Sequence, residues 1–188
     1  MSQPVPATPH IVALGGALRS GSTTERLLAR ALALAQARGA RTTLLAGDAI
    51  DFPNFDPATA AESAPVARMV ETIRTADGII LGSPGYHGTL SGLVKNAVDH
   101  LELLRADERV YLDGMPVGLV AVAAGWQASV ATLTTLRTIV HSLRGWPTPM
   151  GVAVNASEPG DSVAGAEEQL ALMVEQMMAF LECRLRAS

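Results

Sequence analysis

Residues Gly82-Ser83-Pro84-Gly85-Tyr86-His87-Gly88-Thr89 join a short apolar run to an amphipathic one. The run before them, Gly78-Ile79-Ile80-Leu81, is long enough for a buried strand and too short for a helix. After them, Leu90, Leu93, Val94, Ala97, Leu101 and Leu104 fall on one face at helical spacing, which predicts a helix over 90–104. The eight residues are therefore read as a strand-to-helix loop. Pro84 cannot donate to a sheet ladder and is expected to stop the strand. Gly85 and Gly88 permit close backbone approach or positive φ. Such a loop can turn its N–H groups toward a flat ligand with polar edges.

Outward from this loop, strands and helices alternate. A strand over His10–Leu14 leads through Gly16-Ala17-Leu18-Arg19-Ser20-Gly21-Ser22-Thr23-Thr24 into a helix over 24–38, stopped by Gly39. A strand over 41–46, a proline-bearing loop over 47–57 and a helix over 65–75 precede the third strand. Beyond a turn-rich segment, Val117–Ala123 reads as strand and Ala124-Gly125-Trp126-Gln127 as loop. A helix over 129–143, a strand over 151–154, a loop over 155–162 and a closing helix carrying Leu170, Met173, Val174, Met177 and Leu181 complete the pattern. Residues 1–9, with three prolines, read as a flexible arm on a single domain spanning 1–188. Five strands alternating with five helices imply a parallel sheet covered on both faces. In the strand order 2-1-3-4-5, strands 1 and 3 flank the switch point where ligands sit, and both glycine-rich loops leave there.

Composition narrows the function. A net charge of −4 with 14 Lys and Arg leaves no basic stripe for nucleic acid. Neither a signal peptide nor an apolar run long enough to span a bilayer is expected, so the chain reads as cytoplasmic. One cysteine, Cys183, excludes an internal disulfide, and His10, His100 and His141 lack metal-ligand spacing, so no metal is expected. Gly16 to Gly21 has P-loop spacing, but Ser22 stands where the phosphate-binding lysine belongs. What remains is Arg19 with Ser20, Ser22, Thr23 and Thr24 at a helix N-terminus, a set that suits a phosphate monoester. A plain helix cap by Ser22 or Thr23 beside a solvated Arg19 is the other reading.

Gly16-Ala17-Leu18-Arg19-Ser20-Gly21-Ser22, Ser83-Pro84-Gly85-Tyr86-His87-Gly88 and Leu93-Val94-Lys95-Asn96-Ala97-Val98-Asp99 together resemble the NAD(P)H-dependent FMN reductases. The resemblance implies a flavodoxin-like three-layer sandwich with a five-stranded parallel sheet, FMN as cofactor, and NADPH or NADH as electron donor. It implies phosphate binding by Arg19, Ser20, Ser22, Thr23 and Thr24, and a ring platform from Pro84, Gly85, Tyr86, His87 and Gly88. Gly125, Trp126 and Gln127 would close the pyrimidine side. Relatives often carry serine at the place of Ala17, and Glu and Asn at the places of Gly85 and His87. His87 is read either as a contact to the flavin edge or as facing solvent or a neighbouring subunit. The cofactor would carry the chemistry, which accounts for a chain with no triad and no paired carboxylates. The resemblance further implies a homodimer or homotetramer and an acceptor such as a quinone or a flavin-dependent monooxygenase. The alternatives are a reductase of quinones, azo compounds or metal oxyanions with held FMN, and an electron carrier of the flavodoxin kind.

Overall fold

Alternation along the strands decides which side chain meets which helix layer. The structure, a computed structural model, describes residues 8–187. The first seven residues of the expected arm lie outside the described residues. The parallel sheet is built from β1 (His10–Gly15), β2 (Arg41–Leu45), β3 (Gly78–Tyr86), β5 (Pro116–Ala123) and β7 (Val152–Asn155), in the spatial order β2-β1-β3-β5-β7. Val12, Leu14, Ile79, Leu81, Leu119 and Ala121 face one core. Their strand neighbours Ile11, Ala13, Ile80, Val120 and Val122 face the other. Residues two apart share a face of a strand, so runs apolar at every position must be covered on both sides.

The first core lies under α2 (Ala64–Arg74), α3 (Gly92–Asp99) and α4 (Trp126–Ser142). The second lies under α1 (Thr23–Gln36) and α6 (Glu167–Ala187), with the short α5 (Ser162–Gly165) before α6. The strand order and the two helix layers match the expectation, and the fold is flavodoxin-like.

Several details differ from the expectation. Two further short strands raise the sheet to seven, with β4 (Thr89–Leu90) pairing antiparallel with β3 and β6 (Trp146–Pro147) pairing with the start of β5. Pro84 does not stop its strand, because β3 continues to Tyr86. The reason lies in the alternation of backbone groups. Gly82 O points toward β1, where it accepts from Gly16 N at 3.1 Å. Pro84, two residues on, points the same way, and β1 has already ended at Gly15, opposite Gly82. The missing N–H therefore interrupts no ladder. On its other side β3 stays paired to β5 as far as Pro84 opposite Val122.

The predicted helix over 90–104 is α-helical only to Asp99 and tightens to a 3₁₀ helix over His100–Leu104. The predicted loop over 155–162 contains the start of α5 at Ser162. The helix expected from Ser129 begins earlier, at Trp126, with Gly125 at φ +125° as its N-cap.

Candidate functional site

β1 stops at Gly15 while β3 and β5 run on, so a step opens at the carboxyl edge of the sheet. Three connections emerge around that step: residues 16–22 after β1, the turn after β3, and residues 124–125 after β5. A large apolar side chain stands in solvent on or beside each, Leu18 at 57%, Tyr86 at the end of β3 at 55% and Trp126 at the start of α4 at 49% exposure. A rim of exposed apolar groups over backbone donors is the make-up of a small-molecule site rather than of a solvated edge.

The first connection reaches α1 through Ser22, the N-cap, whose Oγ accepts from Glu25 N at 3.3 Å. The helix-cap reading of Ser22 is thus realised. Its hydroxyl oxygen is engaged as acceptor, which leaves the O–H free to donate to a ligand. Glu25 turns back so that Oε2 accepts from Gly21 N at 2.9 Å. Arg19 and Ser20 are exposed, Thr23 is half-buried and Thr24 is buried. Arg26 is held by Asp161, with Nη2 to Oδ1 at 2.9 Å.

The connection after β3 is a hairpin rather than an open loop. Gly85 pairs with Leu90 and Tyr86 with Thr89, leaving His87 and Gly88 as a two-residue turn. Both have positive φ, +51° and +92°, the requirement of a type I′ hairpin. Gly85 is not at positive φ, and the space its missing Cβ would fill is not on the ligand side. A Cβ there would lie 2.4 Å from Thr132 Oγ1 and 3.2 Å from Ala123 Cβ. Gly85 is thus needed for close packing of β3 on α4. Beneath the hairpin, Ser83 Oγ accepts from Ser91 N at 2.9 Å, and Ser91 Oγ caps α3 by accepting from Val94 N at 3.2 Å. Tyr86, His87 and Gly88 are exposed, and Pro84 and Gly85 half-buried.

The third connection is shorter than the sequence suggested, since Trp126 and Gln127 form the first turn of α4. Their N–H groups are among the donors that a helix start leaves without internal partners. The N–H of Gly125 is not among those a ligand could take, because Asn155 Oδ1 accepts from it at 2.8 Å. The same oxygen accepts from Ser157 N at 3.1 Å, and Trp126 Nε1 donates to Glu158 Oε1 at 2.6 Å. The segment after β7 therefore fixes the segment after β5. A cleft of about 110 Å³ lies between them, lined by Trp126, Asn155, Glu158, Asp161 and Ser162 among others.

Of the thirteen predicted site residues, Arg19, Ser20, Ser22, His87, Gly88 and Gly125 lie on these connections, and the other seven lie on the strand end and first helical turns that flank them. Asn155, Glu158 and Glu25, which hold the connections in place, were not singled out from the sequence. Only the serine–glutamate spacing of Ser22 and Glu25 carried a readable signal, that of a capping box. Trp146 lies elsewhere, at the amino end of β5 opposite Pro116, against the Phe180 ring at 6.2 Å.

The donor set fits a flavin mononucleotide: hydroxyls, a guanidinium and a helix start for the phosphate, then a backbone hairpin and a second helix start for the ring. The order of strands and the step at the sheet edge define a flavodoxin-like fold. A flavodoxin from Pseudomonas aeruginosa superposes with a TM-score of 0.58 at 15% identity, covering 90% of this chain and 99% of that one. The flavoenzyme NAD(P)H:(acceptor) oxidoreductase FerB from Paracoccus denitrificans superposes at 0.69 with 20% identity, covering 93% and 96%. Among curated sequences, the FMN-dependent NADPH-azoreductase of Staphylococcus aureus (strain USA300) is 34% identical over 140 residues, 70% of this chain and 71% of that protein. Residues 9–159 match the NADPH-dependent FMN reductase family, and the chain belongs to it. It is an NAD(P)H-dependent oxidoreductase that uses FMN.

Proposed function

We propose that the chain binds FMN across the step at the carboxyl edge of its sheet and reduces it with NADPH or NADH for delivery to a second acceptor. The observation that carries this reading is the convergence of three connections at one step, with an exposed apolar side chain on or beside each, over backbone donors. In it, Arg19, Ser20, Ser22, Thr23 and Thr24 bind the phosphate, with the N-terminus of α1 behind them. The hairpin from Pro84 to Gly88 lies along the ring. The first turn of α4, through the N–H groups of Trp126 and Gln127, faces its pyrimidine edge, while Gly125 serves as the pivot held by Asn155. When bound, FMN supplies the hydride chemistry, accepting at N5 from the nicotinamide. The protein orients the two ring systems and excludes water between them.

Steady-state NADPH oxidation tests the reading. Consumption driven by free FMN supports a reductase that releases reduced flavin, for instance to a flavin-dependent monooxygenase. Consumption only with an azo dye or a quinone supports a held-flavin reductase, a second reading favoured by the azoreductase relative. No consumption with any acceptor leaves an electron carrier and overturns both.

The same reading makes the protein a cytoplasmic homo-oligomer. A groove of about 270 Å³ between α3 and α4, lined by Val98, Ile139 and Leu143 and edged by Lys95 and Asp99, is the surface on which we place the subunit contact. Among the described residues no helix is long and apolar enough to cross a membrane.

A further inference from the structure

The phosphate loop already holds a negative group. Glu25 occupies the first turn of α1, and its carboxylate accepts from the N–H of Gly21 at 2.9 Å. That N–H belongs to the set a flavin phosphate would use, and the field at the start of α1 is already complemented by the glutamate. The nearest cation in sequence does not offset it, because Arg26 is paired with Asp161 across to α5. On the other side of the loop Arg19 is exposed, and Ala17 adds no hydroxyl. A phosphate entering here must displace Glu25 from Gly21 or sit beside it, and either course costs affinity.

We propose that Glu25 is a specificity-determining residue of this loop: its carboxylate competes with the flavin phosphate for Gly21 N–H, and so sets how strongly FMN is preferred over riboflavin. The proposal rests on the phosphate-loop reading above. Its consequence is a flavin that exchanges with free FMN rather than one held through purification.

Glu25→Gln isolates the charge. The amide oxygen can still accept from Gly21 N–H, so the cap is kept while the repulsion is removed. FMN and riboflavin are titrated into the full-length protein, freed of flavin by dialysis, with flavin fluorescence as the readout. The expected result is FMN binding tightened about tenfold, the size of one like-charge contact near a protein surface. Riboflavin binding should be unchanged, and the variant should retain more FMN through purification. Glu25→Ala, which loses the cap as well, should move the ratio of the two dissociation constants in the same direction even if its melting temperature drops.

Two results overturn the proposal while leaving the phosphate loop in place. One is a wild-type preference for FMN that neither variant alters. The other is weaker FMN binding in Glu25→Gln, which would make the carboxylate a cap and nothing more. Equal binding of FMN and riboflavin by wild type, Glu25→Gln and Arg19→Ala alike would remove the phosphate-loop reading itself, and the proposal with it.

Discussion

Arg19 stands four residues beyond Gly15, on a connection whose hydroxyls and helix start suit a phosphate, and its side chain is exposed. Exposure sets the scale of its contribution, since solvent weakens an ion pair. Arg19→Ala should weaken FMN by roughly two- to fivefold and leave riboflavin nearly untouched. An equal, small effect on both flavins in a titration would make Arg19 a solvated neighbour of a cap. At Gly85 the expected defect is in folding rather than in binding. A methyl group there meets Thr132 Oγ1, itself fully buried and without a hydrogen-bond partner. Overpacking of this kind costs about 1–3 kcal/mol, so Gly85→Ala should melt several degrees below wild type. Adding Thr132→Ala removes both the clash and the orphaned hydroxyl, and the double variant should recover part of the loss. No recovery would mean that the strain arises elsewhere. His10 gives the pH dependence its sign. Burial, then the charge of Arg41, hold its pKa below the ordinary value, against the pull of the Thr75 backbone and the Asp77 carboxylate. The unfolded chain therefore takes up the proton first as pH falls below about 6.5, and stability present above that pH is lost beneath it. A His10→Gln variant should show a smaller fall in melting temperature between neutral pH and pH 5.

At the scale of elements, the strands and most helices were legible because their apolar spacing is unambiguous, and the misses share one cause. Pro84 read as a stop because a proline lacks a donor, yet whether that donor is needed depends on where the neighbouring strand ends. The hairpin was missed although His87-Gly88 is a two-residue turn of the required kind, because the helical pattern beginning at Leu90 invited a direct strand-to-helix reading. Trp126 and Gln127 were assigned to a loop because no polar cap precedes them, whereas Gly125 supplies the turn and Asn155, thirty residues on, fixes it. Ties between distant segments leave no local spacing to read. Asn155 therefore makes the sharpest test at this scale. Asn155→Ala strips the Oδ1 acceptor from half-buried Gly125 N, which keeps only the Ala123 carbonyl at 3.1 Å, and from the exposed Ser157 N. The loss is that of ordinary hydrogen bonds, about 1 kcal/mol. The start of α4 should loosen and FMN bind several-fold more weakly, while Asn155→Asp, which keeps an acceptor oxygen, should restore much of the binding. Unchanged flavin affinity in Asn155→Ala would separate the third connection from the site.

For the whole molecule, the alternation of strands and helices implied a parallel sheet covered on both faces. The flavodoxin-like resemblance supplied its order, and the expected place of the site followed from that order, since a switch point needs no side-chain detail to find. The shape of the subunit contact did not follow. Tyr86 and Trp146 are both large and exposed, yet one lies at the carboxyl end of β3 and the other at the amino end of β5. Several strand residues at ~3.3 Å each separate those two levels, so they do not form one patch around the flavin. The groove between α3 and α4 is the better candidate. Val98, Ile139 and Leu143 give it an apolar floor, and Lys95 pairs with Asp99 at 2.6 Å along its edge. A surface that carries both charge signs beside an apolar strip can match itself across a two-fold axis, each lysine meeting the aspartate of the other copy. Light scattering at micromolar concentration should give a mass well above the 19.6 kDa of one chain. Ile139→Glu places a charge in the apolar strip and should shift the population toward monomer, with a lower flavin affinity if the contact shields the ring. A wild-type monomer, or an oligomer that Ile139→Glu leaves intact, would move the contact to another face.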